Sequence, residues 1–225
     1  MLLGAHESIA GGLHRAFALG EVDGCDAIQI FTKTSGQWRE PVVDADRISA
    51  FRDARGQSRI ARAPVLAHGS YLLNLCTRDA ALIERSRVAL VNEVLRCDAL
   101  GVDQAIFHPG AHLGDGPRAG IERAVESLAW VVERTRGART ALVLENNAGQ
   151  GSCVAAPFSE LGAIIRGVDE VCGDESRARV GACIDTCHAF AAGYDLSTDE
   201  GWDAAFAELD RELGVARIRS MHLMK

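Results

Sequence analysis

The amino-acid sequence predicts an α/β fold, either a (β/α) barrel or a doubly wound parallel sheet. Short apolar runs alternate with amphipathic segments about seven times along the chain, as in strands joined by crossover helices. The 225 residues, 48% hydrophobic and 24% charged, suit one barrel-sized domain over 1–225 better than two separate domains. Titratable residues also recur at the C-terminal ends of the apolar runs, where a barrel carries its functional groups.

Taken in order, Leu2 to Ala5 reads as a brief strand ending in His6-Glu7-Ser8, and Gly11-Gly12 opens a helical run through Leu13, Ala16, Phe17 and Leu19. Ala27 to Phe31 is a second strand, followed by a polar loop from Thr32 to Trp38. A helix over Pro41 to Arg55 turns Ile48 and Phe51 inward, and Pro64 to Ala67 is a third strand ending on His68-Gly69-Ser70-Tyr71. Asp79 caps a long helix through Leu82, Ile83, Val88, Val91, Val94 and Leu95. Gln104 to Phe107 is a fourth strand ending on His108-Pro109-Gly110, and Gly120 to Arg136 is helical. Thr140 to Leu144 is a fifth strand ending on Glu145-Asn146-Asn147, and Phe158 to Ile165 is a short helix. The sixth strand, Val180 to Ile184, is apolar throughout and so is buried on both faces. Trp202 to Leu213 is a helix with Phe206 and Leu209 inward, and Arg217 to Leu223 is a seventh strand carrying His222.

The densest chemistry follows the sixth strand, in Asp185-Thr186-Cys187-His188. A carboxylate and an imidazole three residues apart past a strand end suit a divalent metal such as zinc. Alone this spacing is weak evidence. In a barrel, however, His68, His108, Glu145, Asp185, His188 and His222 would all converge on one mouth, and their types make a zinc-ligand set rather than a hydride-transfer or phosphate-cradle set.

Composition narrows the function classes. The formal charge of −7 argues mildly against a dedicated non-specific nucleic-acid binder, although bound zinc would offset it locally. Seven scattered cysteines without a CxxC read as reduced thiols of a cytoplasmic protein. No signal peptide and no membrane-spanning run are evident, and the chain is expected to act as a monomer.

The segments GAHESIAGGL (4–13), FTKTSGQW (31–38), HGSYLLNL (68–75), FHPGAHLG (107–114), LENNAGQGS (144–152), GACIDTCHAFAAGYDL (181–196) and the final MHL carry a full-length resemblance to endonuclease IV. That zinc-dependent family cuts DNA at abasic sites. The resemblance implies a TIM barrel with three clustered zinc ions. It gives His68 and His108 to one zinc, Glu145 as the bridge to a second, Asp185 and His222 to that second, and His188 to a third. The expected nucleophile is a hydroxide bridging the metals held by Glu145. Tyr71 and Leu72 match a pair that enters the DNA at the lesion, replacing lost stacking. Lys33 and Arg39 are candidates for phosphate contacts. His6 has no assigned role, His14 is a surface residue, and His112 is not counted as a ligand.

Two departures from the family pattern stand out. His222-Leu223-Met224-Lys225 replaces His-Leu-Asn-Asp, and the family's later ligands lie beyond that point. The expectation is therefore a barrel lacking its last strand and helix, with only His188 left for the third zinc. Gly36 also stands where the family often has an arginine that enters DNA. The rival readings are a metal-dependent sugar isomerase or epimerase on the same barrel, and an inactive zinc-binding remnant.

Overall fold

The computed structural model describes residues 1–223; Met224 and Lys225, the site of the first departure from the family pattern, lie outside the described residues. Seven strands, β1 (Gly4–His6), β2 (Ala27–Phe31), β3 (Val65–His68), β4 (Gln104–Phe107), β5 (Ala141–Glu145), β6 (Val180–Asp185) and β7 (Ile218–His222), form one sheet in sequential order. Every neighbouring pair is parallel. This order decides between the two predicted folds, because a doubly wound sheet reverses its strand order at a switch point and none occurs here. The sheet is curled. Gln104 on β4 donates to the Arg219 carbonyl on β7 at 3.3 Å, and Gln29 on β2 meets His222 on β7 at 2.8 Å. Among the described residues β1 and β7 pair on one side only.

The two faces of the sheet are different environments. Ile28, Ile30, Val65, Ala67, Phe107, Leu142, Leu144 and Val180 join the large core beneath the helices. The alternate residues point into the curl, where Ile106, Ala141, Val143 and Cys183 pack with Leu66 as a small separate plug. With a period of two along each strand, the next inward positions after that plug are His68, Glu145, Asp185 and His222. The polar residues at the mouth therefore stand on an apolar floor.

The helices are α1 (Arg15–Val22), α2 (Ala45–Gln57), α3 (Ala80–Leu100), α4 (Pro117–Arg134), α5 (Phe158–Cys172), α6 (Asp174–Arg179), α7 (Thr186–Ala191) and α8 (Asp199–Leu213). None among the described residues is long and apolar enough to cross a membrane. Asp79 caps α3 as predicted, accepting from the amides of Ala81 and Leu82 at 2.9 and 3.0 Å.

Several local expectations change. Helix α2 begins at Ala45, behind its N-cap Asp44, and not at Pro41. Helix α1 begins at Arg15, because Gly11 and Gly12 adopt positive φ angles of 82° and 130° in the preceding turn. Helix α5 continues to Cys172, and a further short helix, α6, precedes β6. The segment Thr186–Ala191, assigned no element from the sequence, is helical, with Asp185 as N-cap of α7. On α3, Val88 and Leu95 are exposed, and the inward stripe runs through Leu90, Val94, Cys97 and Leu100 together with Glu93 and Arg96. Those charged residues are buried because they pair with each other and with the β2 loop: Thr32 donates to Glu93 at 2.5 Å and Arg96 to Glu40 at 2.6 Å. A reading that keeps charges outward rotates this helix wrongly.

Leu144 is fully buried on the helix-facing side of β5. Leu144→Ala should cost about 2–5 kcal/mol through lost burial and a residual cavity, read as a lowered urea midpoint at unchanged slope.

Candidate metal centre

The site is built at the C-terminal ends of β3, β5, β6 and β7 and the loop after β4. Parallel register sets the heights: Phe31 pairs with His68, Glu145 with Cys183, and Asp185 with His222. Glu145 is the hub. His68 Nε2 lies 3.0 Å and His108 Nε2 3.6 Å from Glu145 Oε2, while His222 Nδ1 lies 2.9 Å and His188 Nδ1 3.5 Å from Oε1. His222 Nδ1 is also 3.7 Å from Asp185 Oδ2. Glu145 and Asp185 are 1% and 3% exposed, so two carboxylates are held out of water among imidazoles.

Two groups of possible metal ligands converge, His68-His108-Glu145 and Glu145-Asp185-His222, each with its donor atoms within 4.8 Å of one another. Glu145 belongs to both. The hydrogen bonding supports cation ligation. A carbonyl only accepts, so His68 must give its Nδ1 proton to the Gly69 carbonyl at 2.8 Å. In the neutral ring this turns a lone pair at Nε2 toward an acceptor oxygen of Glu145. A proton or a metal ion between them resolves that clash. His108 Nε2 faces the same oxygen at 3.6 Å, and its buried Nδ1 has no partner. Ligands at zinc bond lengths on a tetrahedron are roughly 3.4 Å apart, close to the His108 separation.

The electrostatics follow from this crowding. Burial pushes His108 down to about 4, its neighbours His68 and His188 push the same way, and the negative Glu145 opposes them. Burial would raise Glu145, but its hydrogen bonds with His222 and His68 outweigh burial and hold the carboxyl far below its usual range. His222 is the counterpart: burial acts to lower it, and its hydrogen bonds to Asp185, Cys183 and Glu145 together lift it to about 12. Without a metal, protons on imidazole balance the buried carboxylates. A bound cation would take over that task, because ligation requires neutral histidine.

His188 stands apart from both groups. Its Nδ1 donates to the Asn146 carbonyl at 3.0 Å, which leaves Nε2 as the free nitrogen. No third set of His, Cys, Asp or Glu ligands converges among the described residues. His112 organises its own loop, accepting from the Gly114 and Gly116 amides at 3.1 and 3.0 Å.

Tyr71 is 62% exposed at the mouth, its ring 5.2 Å from His68 and 5.7 Å from Phe31. Leu72 is half-buried beside it, while Leu73 and Leu75 belong to the core. Lys33 departs from its expected place as a phosphate contact: its side chain is 5% exposed and its ammonium is held by Glu40 at 2.6 Å. Arg39 is the exposed cation of that loop.

Two residues here carried no expectation. Asn146 fixes Asp185 from both sides, accepting from the Asp185 amide at 2.7 Å and donating to its carbonyl at 3.2 Å. Gln29 bonds to His222 and to His6, at 2.8 and 3.0 Å. A polar residue between Ile28 and Ile30 was the available signal for Gln29.

An imidazole and carboxylate cluster stands at the strand ends of a curled parallel sheet, as in a TIM barrel, and the comparisons agree on that fold. Residues 17–225 match the xylose isomerase-like TIM barrel family. A probable endonuclease 4 from Halorhodospira halophila is 43% identical over 226 residues, covering 98% of this chain and 72% of that protein. One from Geobacter sp. strain M21 is 40% identical over 222 residues, covering 99% and 76%. The crystal structure of endonuclease IV from Thermus thermophilus superimposes with a TM-score of 0.83 at 32% identity, covering 99% of this chain and 76% of that one. The chain belongs to the endonuclease IV family. A D-tagatose 3-epimerase-like protein also superimposes, with a TM-score of 0.72, but at 14% identity that likeness shows the fold alone.

Because Glu145 is common to both ligand groups, its replacement should empty both. Elemental analysis of the zinc-loaded chain should give two ions, Glu145→Gln should lose both with an unchanged far-ultraviolet spectrum, and His188→Ala should keep both. Two ions retained in Glu145→Gln would show that the carboxylate is not shared.

Proposed function

We propose that this chain is a zinc-dependent endonuclease. It hydrolyses the phosphodiester 5′ to an abasic site in double-stranded DNA and leaves a 3′-hydroxyl, the incision step of base excision repair. The observation that carries the reading is the carboxylate of Glu145, buried at the strand ends and common to two ligand groups. Family membership supplies the reaction class.

His68, His108 and Glu145 would hold one zinc, and Glu145, Asp185 and His222 the other. Bound there, the metal supplies charge neutralisation at the phosphate and a water acidic enough to be a nucleophile near neutral pH. The chain's own contribution is placement. Asn146 fixes Asp185, and Gly69 fixes the ring of His68 with Nε2 toward Glu145. The Ser70 hydroxyl is committed to the Ser35 carbonyl at 2.6 Å, and burial pushes the Cys183 thiol up.

Lesion selectivity falls to the rim. Tyr71 rests on Phe31 and His68 with most of its ring in solvent, so it can stack where a base is missing without first leaving the core. An abasic nucleotide also has no base to unstack when it leaves the helix, which favours its extrusion over that of an intact nucleotide. Arg39, exposed on the neighbouring loop, faces solvent as a phosphate contact.

The test is nicking of a duplex oligonucleotide carrying one abasic analogue, with added zinc. Cleavage 5′ to the analogue with a 3′-hydroxyl product is expected. Tyr71→Ala should weaken binding of the lesion duplex about tenfold or more, the scale of one base–aromatic stack, with little change in zinc content. Turnover of a ketose without DNA cleavage would favour the epimerase reading. Neither activity in a folded, zinc-loaded chain would make this chain an inactive zinc-binding remnant.

A further inference from the structure

The mechanism above leaves unused a polar chain that runs from the metal centre to the first strand. His222 presents Nδ1 to Glu145 and Asp185, at 2.9 and 3.7 Å. Its other nitrogen, Nε2, lies 2.8 Å from Gln29 Oε1. The amide nitrogen of Gln29 in turn lies 3.0 Å from His6 Nδ1, and the His6 ring packs on Phe31 with centroids 4.4 Å apart. These three side chains come from β7, β2 and β1: His6 and Gln29 are register partners of adjacent strands, and the curl of the sheet brings His222 to them.

An amide has one accepting end and one donating end. Gln29 can serve both histidines only if one ring donates to it and the other accepts from it. A neutral imidazole that gives Nδ1 to a metal must carry its proton on Nε2. An oxygen, not an NH₂ group, is then required opposite Nε2, as found. The NH₂ group is thereby directed at His6, whose Nδ1 accepts it.

We propose that Gln29 is a positioning residue of the metal centre: its carbonyl oxygen keeps the His222 proton on Nε2 so that Nδ1 is free for the metal shared with Glu145 and Asp185, and His6 holds the amide in that orientation. The inference rests on the metal-binding reading of the Glu145-Asp185-His222 group. It gives His6 a function without making it a ligand. It also makes the two metal positions unequal, since His68 takes its orientation from a backbone carbonyl and His222 from a replaceable side chain. Loss of such a partner to a metal-bound histidine typically costs 10–100-fold in metal affinity.

The experiment is calorimetric zinc titration of the metal-stripped chain and its Gln29→Leu and Gln29→Glu variants, with nitrogen-15 spectra of the histidine rings in the zinc-loaded protein. In the unaltered chain His222 should show a protonated Nε2 and a metal-bound Nδ1. Gln29→Leu should weaken one of the two zinc sites about 10–100-fold and leave the other within about twofold. Gln29→Glu keeps an acceptor opposite Nε2 and should stay within a few-fold of the unaltered chain. Equal affinities in the Leu variant, or His222 bound through Nε2, would overturn the proposal, and the ring spectrum decides even if the Leu variant does not fold. If the unaltered chain takes up no zinc at His222, the metal reading fails instead. The metal-free spectrum then remains the test of the relay, because a His222 Nε2 proton that exchanges as freely as one in solvent would exclude the bond to Gln29.

Discussion

The structure depends on one buried carboxylate. Glu145 ends a strand whose residues are all buried, and it projects into the curl with imidazoles of four other segments around it. An ionised carboxylate in such a place is untenable without compensation. Here compensation comes only from side chains that the sheet brings together: His68 and His222 lie on β3 and β7, and neither is near Glu145 in sequence. The centre therefore exists only when the sheet has formed in register and curled. Its converse also holds, for a cation bound between these groups ties β3, β5 and β7 to one another across the mouth.

The rim is anchored separately. The loop after β2 is pinned from below by a buried charge network in which Arg96 on α3 bonds to Thr32 at 2.8 Å and to Glu40 at 2.6 Å, and Glu40 also holds Lys33. From above, the Ser35 carbonyl accepts from the Ser70 hydroxyl and the Tyr71 amide, at 2.6 and 3.2 Å. Buried ion networks contribute little net stability compared with an apolar core of the same volume. What this one provides is a fixed height for the loop that meets Tyr71. Gly110 gives the third rim loop its close approach: with φ at +109°, a Cβ there would lie 2.3 Å from the Asn74 side-chain oxygen. That oxygen accepts from the amides of Cys76 and Ala111 at 3.0 and 3.1 Å.

Much of this was legible in the sequence. All seven strands were found within about two residues, because strands buried on both faces announce themselves as apolar runs between polar strand ends. The His, Glu and Asp residues at those ends were legible for the same reason, and the tight blocks around His68 and Asp185 made the family readable. Most of what escaped has one cause, which is that pairing between distant residues is invisible along a chain. Glu93 and Arg96 carried no expectation and are a buried charge pair. Lys33 looked like a free cation and is neutralised by Glu40. Gln29 carried no expectation and bridges two histidines. Arg96 finds Glu40, and Gln29 finds His222, on other elements, whereas Lys33 and Glu40 share one loop.

The acidity of the whole chain bears on the same site. A formal charge of −7 opposes approach to DNA, and long-range attraction is the usual basis of non-specific binding. Recognition must then be local. The two carboxylates at the mouth are turned inward and almost fully buried, so their charge is spent on the ligand groups instead of being presented to a phosphate. Two divalent ions held by those groups would make the mouth the most positive point on an acidic surface. On the function proposed, affinity for undamaged DNA would be low, and binding would concentrate where a phosphate can reach the metals and a gap in the stack can accept Tyr71.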